Sequence, residues 1–222
     1  MTISTPSYIM PGTYLENVQH ISGFPEIQSV ELLFFMYDDE TDKLILEELP
    51  GIQEYTGRLG FTVHMPDELQ AEHRVIIERT KQFAVQYVLH PPEEEIDSFV
   101  SLLGGWIDEY GTIFLLENLI GREFESILRA EPRLGVCMDT GHLLIRGESP
   151  SGFAQRYGEL IREIHLHGLV DGWDHNEFSG EDKWFQELVP FLRNFRGTCN
   201  IEVFKEDQVM AVLEVLRGFS LV

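Results

Sequence analysis

Positive charge is what this 222-residue sequence has least of: 16 Lys and Arg stand against 38 Asp and Glu, a formal net charge of −22. Binding a phosphate backbone needs a basic face, so neither a nucleic-acid polymer nor an anionic membrane is expected as a partner. Cysteine is scarce. Cys137 and Cys199 lie 62 residues apart, each inside an apolar run. They read as buried free thiols in a reducing compartment and exclude a disulfide framework. No window approaches the roughly 18 apolar residues of a membrane span. The opening MTISTPSYIMPGTYLENV lacks the basic and apolar regions of a signal peptide, which makes a cytoplasmic location the expectation. A Gly-rich dinucleotide fingerprint, a phosphate loop and a low-complexity linker are also missing. At 43% hydrophobic and 24% charged residues the composition is globular, and the length fits one domain over residues 1–222.

What the chain does have is a recurrence of short apolar runs bounded by turn residues. They are Tyr8–Met10, Val30–Phe35, Phe61–His64, Gln86–His90, Thr112–Glu117, Gly135–Asp139, Glu163–His167 and Asn200–Phe204. Their starts are 22 to 37 residues apart, room for one crossover helix each time. Hydrophobicity that is continuous rather than alternating, as in Val30–Phe35, marks strands buried on both faces of a parallel sheet. Amphipathic helices are expected between them, among them Glu68–Phe83, Glu93–Tyr110 after Pro91-Pro92, and Glu206–Phe219. Eight strands with intervening helices predict an α/β fold, a single (β/α)8 TIM barrel, with an open doubly wound sheet as the competitor.

Of the eight histidines, His20 and His73 fall in predicted helices; His64, His90, His142, His165, His167 and His175 fall at strand C-terminal ends or just beyond. Barrel active sites are built on that face. Carboxylates follow the same pattern: Glu117 ends IFLLE, Asp139 ends GVCMD and Glu202 sits in NIEVF. A lone acid in an apolar strand is costly to bury without a partner or a cation. Converging with imidazoles on one mouth, these acids fit a divalent-metal site of mixed nitrogen and oxygen ligands. His165 and His167 are two apart and point the same way along a strand, so at least one faces the site, and His165 is the favoured ligand. Asp174 and His175 follow the seventh strand, and Glu31 in the second strand is a further candidate for contact with substrate.

The ordered set, His on the third and fourth strands, Glu on the fifth, Asp-x-x-His on the sixth, His on the seventh, Asp-His after it and Glu on the eighth, resembles the xylose isomerase-like barrel superfamily. That group holds endonuclease IV-type nucleases and sugar-phosphate isomerases and epimerases. The resemblance implies one of two chemistries. The isomerase branch would hold one metal with Glu117, Asp139, His165 and Glu202 and move a proton between carboxylates. The endonuclease IV branch would add His64, His90, His142, Asp174 and His175, building a cluster of two or three ions that activates water against a phosphodiester. The complete histidine set favours the hydrolase, with Glu117, Glu202 and His142 as catalytic residues. Asp174-His175 departs from the Asp-x-His usual in endonuclease IV, which leaves Asp171 as a substitute ligand. The charge deficit points to a small substrate; His167, Glu31, Arg122 and Lys205 are expected to touch it, with Arg146 as another cation near the mouth. The stretches YIMPGTYLENV, VELLFF, TVHMP and LHPPEEE are similar to the cobamide-remodelling phosphodiesterases, which cut the nucleotide loop of cobalamin-type cofactors. Zinc, manganese and iron all accept such ligands, and zinc or manganese, two or three ions, is the expectation. A non-enzymatic binding protein is a third class, and oligomeric state is not readable.

Overall fold

The computed structural model describes residues 1–222. Eight parallel strands close into a barrel: β1 (Thr2–Pro6), β2 (Ser29–Leu33), β3 (Gly60–His64), β4 (Ala84–Leu89), β5 (Phe114–Glu117), β6 (Gly135–Asp139), β7 (Ile161–His165) and β10 (Thr198–Asn200). Pairing of β1 with β10 completes the ring. A separate antiparallel hairpin, β8 (Gly168–Val170) and β9 (Trp173–Asn176), interrupts the last unit. Nine helices surround the barrel: α1 (Tyr14–Ile21), α2 (Asp39–Gln53), α3 (Arg74–Thr80), α4 (Ile96–Tyr110), α5 (Phe124–Ala130), α6 (Thr140–Ile145), α7 (Pro150–Tyr157), α8 (Lys183–Asn194) and α9 (Glu206–Gly218).

Local chemistry accounts for where the helices begin. Thr13 accepts the backbone N–H of Glu16 and the Glu16 carboxylate accepts that of Thr13, a reciprocal cap on α1. Asp38 accepts the Thr41 N–H at the start of α2, and Ser149 that of Gly152 at the start of α7. Pro150 opens α7, where a missing N–H costs nothing. Outside the strands, one continuous core of 48 buried apolar residues joins sheet to helices. Inside the barrel the filling is partly polar: Ser4, Glu31, Thr62, Glu163 and Asn200 are all buried.

The (β/α)8 expectation holds, and several boundaries move. The first strand is Thr2–Pro6 rather than Tyr8–Met10, because the small and β-branched residues of TISTP pair with β2 and β10 while Tyr8 lies exposed in the loop beyond. The apolar run misleads; the true strand is polar where it faces the barrel interior. Glu68–Phe83 shortens to a 3-10 turn, Ala71–His73, followed by α3. His142 is not in a loop but in the first turn of α6, and the last strand ends at Asn200, two residues before Glu202. No helix is long and apolar enough to cross a membrane.

Candidate metal centre

Strand register brings the chemistry to one end. His165 at the tip of β7 is level with Asp139 on β6 and with Asn200 on β10, while His64 ends β3 and Glu117 ends β5. Side chains two apart on a strand share a face, so each tip residue has a partner one layer down: Thr62 under His64 and Glu163 under His165.

Glu117 is the hub. Its Oε2 lies 3.3 Å from His64 Nε2, 3.5 Å from His90 Nε2 and 3.3 Å from His165 Nδ1, and its Oε1 lies 3.1 Å from His142 Nδ1. Glu202 closes the far side, with Oε2 3.2 Å from His165 Nδ1 and 3.7 Å from His175 Nδ1. Asp174 reaches in from β9, 3.7 Å from His142 Nε2. The ligand atoms of three groups, His64/Glu117/His165, Glu117/Asp139/His142 and His142/Asp174/His175, each lie within 4.8 Å of one another.

Several of these imidazoles are held so that one nitrogen is presented inward. His64 Nδ1 is 2.9 Å from the Met65 carbonyl, which can only accept, so in the neutral ring the Nε2 lone pair faces Glu117. His165 is fixed from below: Glu31 Oε1 lies 3.2 Å from Nε2, and Asn200 Nδ2 donates to the other Glu31 oxygen. That is the carboxylate–histidine arrangement which orients a metal ligand, and it leaves Nδ1 facing Glu117 and Glu202. His142 Nδ1, His165 Nδ1 and Glu202 Oε2 are buried and have no hydrogen-bond partner. Ring nitrogens and carboxylate oxygens converging this closely fit a shared cation, and these nitrogen and oxygen donors suit zinc or manganese.

The Asp139-Thr140-Gly141-His142 segment does three jobs in four residues. Asp139 Oδ1 accepts the His142 N–H at 2.6 Å, capping α6 and aiming its imidazole at Glu117. Thr140 Oγ1 accepts from His167 N at 3.0 Å and donates to the His167 carbonyl at 2.7 Å, clamping the chain after β7. Gly141 leaves room for the His167 ring, since a Cβ there would sit 2.1 Å from its Cε1. Asn118 braces the same segment, donating to the Asp139 carbonyl at 3.0 Å and accepting its N–H at 2.8 Å. His167 Nδ1 accepts the backbone N–H of His175 at 2.9 Å, so its own proton sits on Nε2 and is donated to Asp139 Oδ2, 2.9 Å away. His167 is therefore a fixed donor to a site carboxylate, with its ring stacked on His175 at 4.4 Å.

Burial alone would favour the neutral form of every group here, and the pairing overrides it. Despite burial, the His90 and His165 charges hold Glu117 well below the usual carboxylate range. Glu202 and Asp139 are likewise held down, chiefly by His165 and by His167 respectively. Conversely, burial opposes charge on His90 and His142, yet Glu117 with Asp67 raises the first to about 10, and Asp139 with Glu117 raises the second to about 9. In the metal-free chain, protons on imidazoles stand where cations would.

All nine expected metal ligands, His64, His90, Glu117, Asp139, His142, His165, Asp174, His175 and Glu202, meet at this mouth. Three expectations are corrected. His167, expected to touch substrate, is fully buried with both ring nitrogens engaged, so it braces Asp139 instead. Glu31 is enclosed beneath His165 and bonded to it, out of reach of a substrate. Asp171 is exposed in the β8–β9 turn with Gly172, both at positive φ (54° and 84°), and belongs to none of the ligand groups. Asp-Gly is the signature of such a hairpin turn, and that signal is present in the sequence. Arg122 lies at the edge of the mouth, paired with Glu93 at 2.7 Å, and Arg146 pairs with Glu148 at 2.7 Å. Lys205, exposed ahead of α9, makes no ion pair. The sequence pattern does not single out Glu163, Asn118 or Thr140; Glu163 is legible as the residue two before His165.

A family model for the xylose isomerase-like TIM barrel matches residues 63–219, more than half of the chain. The chain belongs to that family. Among solved structures, this xylose isomerase-like barrel is similar to endonuclease IV from Thermus thermophilus, with 15% identity over 99% of each chain and a TM-score of 0.67. It is also similar to 3-keto-D-glucoside 4-epimerase from E. coli, at 14% identity over 100% of each chain and a TM-score of 0.68. A sugar phosphate isomerase/epimerase from Parabacteroides distasonis matches at 10% identity over 100% of this chain and 99% of that one, with a TM-score of 0.71. At such identities the likeness is one of fold. No curated protein matches the sequence.

Proposed function

We propose that this barrel is a divalent-metal-dependent phosphodiesterase acting on a small, cofactor-like substrate. The observation that carries the reading is the number of ligands around Glu117. One ion needs four protein groups or fewer, yet His64 and His90 approach one Glu117 oxygen, His142 the other, and Asp174 with His175 extends the set beyond His142. His64, His90 and Glu117 would hold one ion, Asp139, His165 and Glu202 with Glu117 a second, and His142, Asp174 and His175 a third. Such ions supply Lewis-acid stabilisation of phosphoryl oxygens and lower the pKa of water towards about 7.

The chain's own groups do the positioning. Glu31 fixes the tautomer of His165, the His167 Nε2–H holds Asp139, and Asp139 in turn aims His142. Lys205, which makes no ion pair, would meet an anionic substituent of the substrate. A small substrate rather than a polymer is supported by the net charge of −22 and by the engagement of Arg122 and Arg146 with glutamates. The narrower reading, the nucleotide loop of a cobamide, is supported by sequence resemblance in segments that line this mouth: the loop after β1, the tip of β2, and the ends of β3 and β4.

A second reading is favoured by one observation. His165 Nδ1 alone lies within 4.0 Å of Glu117, Asp139 and Glu202, a complete single-metal set for a sugar or sugar-phosphate isomerase or epimerase. Elemental analysis separates the two. Chain purified without chelator and reconstituted with zinc or manganese should carry two or three ions and hydrolyse a phosphodiester, cobamides being tried first. A single ion, with turnover of ketoses or aldoses, would replace the hydrolase with the isomerase.

A further inference from the structure

Aromatic side chains continue outward from the ligand histidines on one side of the mouth. The Phe35 ring, just past β2, is 6.0 Å from His64 and 6.1 Å from Phe204, edge to face with the latter. Phe204 is 4.9 Å from His175, and Tyr8, in the loop after β1, is 6.5 Å from Phe204. Tyr8 is 52% exposed, Phe35 40% and the adjoining Met36 79%. Single exposed apolar residues need no explanation. These are different, because they are contiguous with one another and with two of the residues that would hold metal. Tyr8 divides two hollows, one of about 280 Å³ shared with Phe35 and Met36, the other of about 600 Å³ shared with Phe204 and Lys205.

We propose that Phe35, Phe204 and Tyr8 form a shelf for a flat, apolar ring system attached next to the phosphoester. This inference rests on the phosphodiesterase reading and names its substrate class. The shelf itself offers ring faces, while the polar groups of the two hollows, Lys205, Glu206 and Asp207 in one and Thr13, Asp38 and Thr41 in the other, lie in the walls around it. Rings prefer offset or edge-on partners at 4.5–7 Å between centroids, the spacing these side chains already keep among themselves. A ring seated there would hold its phosphoester over His64, Glu117 and His175.

The test uses the full chain loaded with zinc or manganese, titrated by calorimetry with two non-hydrolysable probes, methylphosphonate and 1-naphthylmethylphosphonate. The wild type should bind the naphthyl probe about tenfold more tightly, the scale of one or two added aromatic contacts. Replacing the two exposed rings, Phe35→Leu with Tyr8→Leu, should bring that ratio to within about twofold; the wild-type comparison stands on its own if the double variant fails to fold. Equal affinity for both probes in the wild type, or a preference untouched in a folded double variant, overturns the shelf and leaves the phosphodiesterase reading intact. Binding of neither probe to metal-loaded chain sinks that reading, and the shelf with it.

Discussion

Thr62 and His64 leave β3 towards the barrel axis two residues apart, as Glu163 and His165 leave β7, and the two layers treat buried charge in opposite ways. At the upper layer, Glu117, Asp139 and Glu202 are kept ionised by five imidazoles. One layer down, Glu163 has a single hydrogen bond, from Thr62 Oγ1 at 3.1 Å, and burial with the nearby Glu31 charge pushes its carboxyl well above the usual range. The lower acid is therefore pushed towards its neutral form, and the upper acids towards their charged form, which suits cations. Burial is equal in the two layers, so depth does not make the difference. The partners do: hydroxyls and amides below, imidazoles above. Glu31 stands between, an acid of the lower layer that orients a histidine of the upper one.

Breaking the upper layer has the largest expected effect. Glu117→Gln should cut turnover by more than about 100-fold, exceeding the cost of losing a group that only orients a ligand. Far-UV circular dichroism should show the fold retained. Activity equal to wild type would remove the hub from the mechanism.

Next comes the link between layers. Glu31→Gln should weaken metal affinity by roughly 10- to 100-fold, read by competition with a chromophoric chelator. If Glu31 only filled space, the amide, nearly the same shape, would leave affinity unchanged.

Proton competition gives a graded effect. Cations must displace protons from His90 and His142, raised to about 10 and about 9, so metal uptake should release protons and tighten as pH rises. Calorimetry in buffers of different ionisation enthalpy counts those protons; none released would mean the imidazoles were already neutral. Stability of the metal-free chain follows from the same shifts. The raised histidines stabilise fully below their unfolded value of 6.5 and lose that contribution as pH climbs towards their folded values. The lowered carboxylates stabilise fully above their unfolded value of 4.5 and lose it on acidification. Melting temperature without metal should therefore peak between these two values.

The smallest effect belongs to the lower layer. Because burial and the Glu31 charge favour the neutral form of Glu163, Glu163→Gln should leave the number of bound ions unchanged and shift stability by less than about 1 kcal/mol. A lost ion in that variant would show that the two layers are not separable.

Much of this is legible in the chain itself. The apolar runs and their spacing predict the barrel, and the placement of six histidines and three acids at strand ends predicts the mouth, because side-chain parity and strand polarity are local properties. The first strand escapes such a reading since Thr2–Pro6 is polar where it faces the interior, which hydrophobicity cannot reveal. Asp171 resembles a ligand only as long as the Asp-Gly turn of the hairpin is overlooked.

Sequence alone determined which residue types stand at each strand end, and therefore that imidazoles and carboxylates would share one rim. Only the tertiary structure decided which of them meet. Glu31 and His165 are 134 residues apart, His64 and Glu117 are 53 apart, and which nitrogen of each ring faces inward depends on what approaches from the other side. That approach is set by the register of neighbouring strands as the barrel closes, so a substrate contact, a brace and a metal ligand look alike until it has closed.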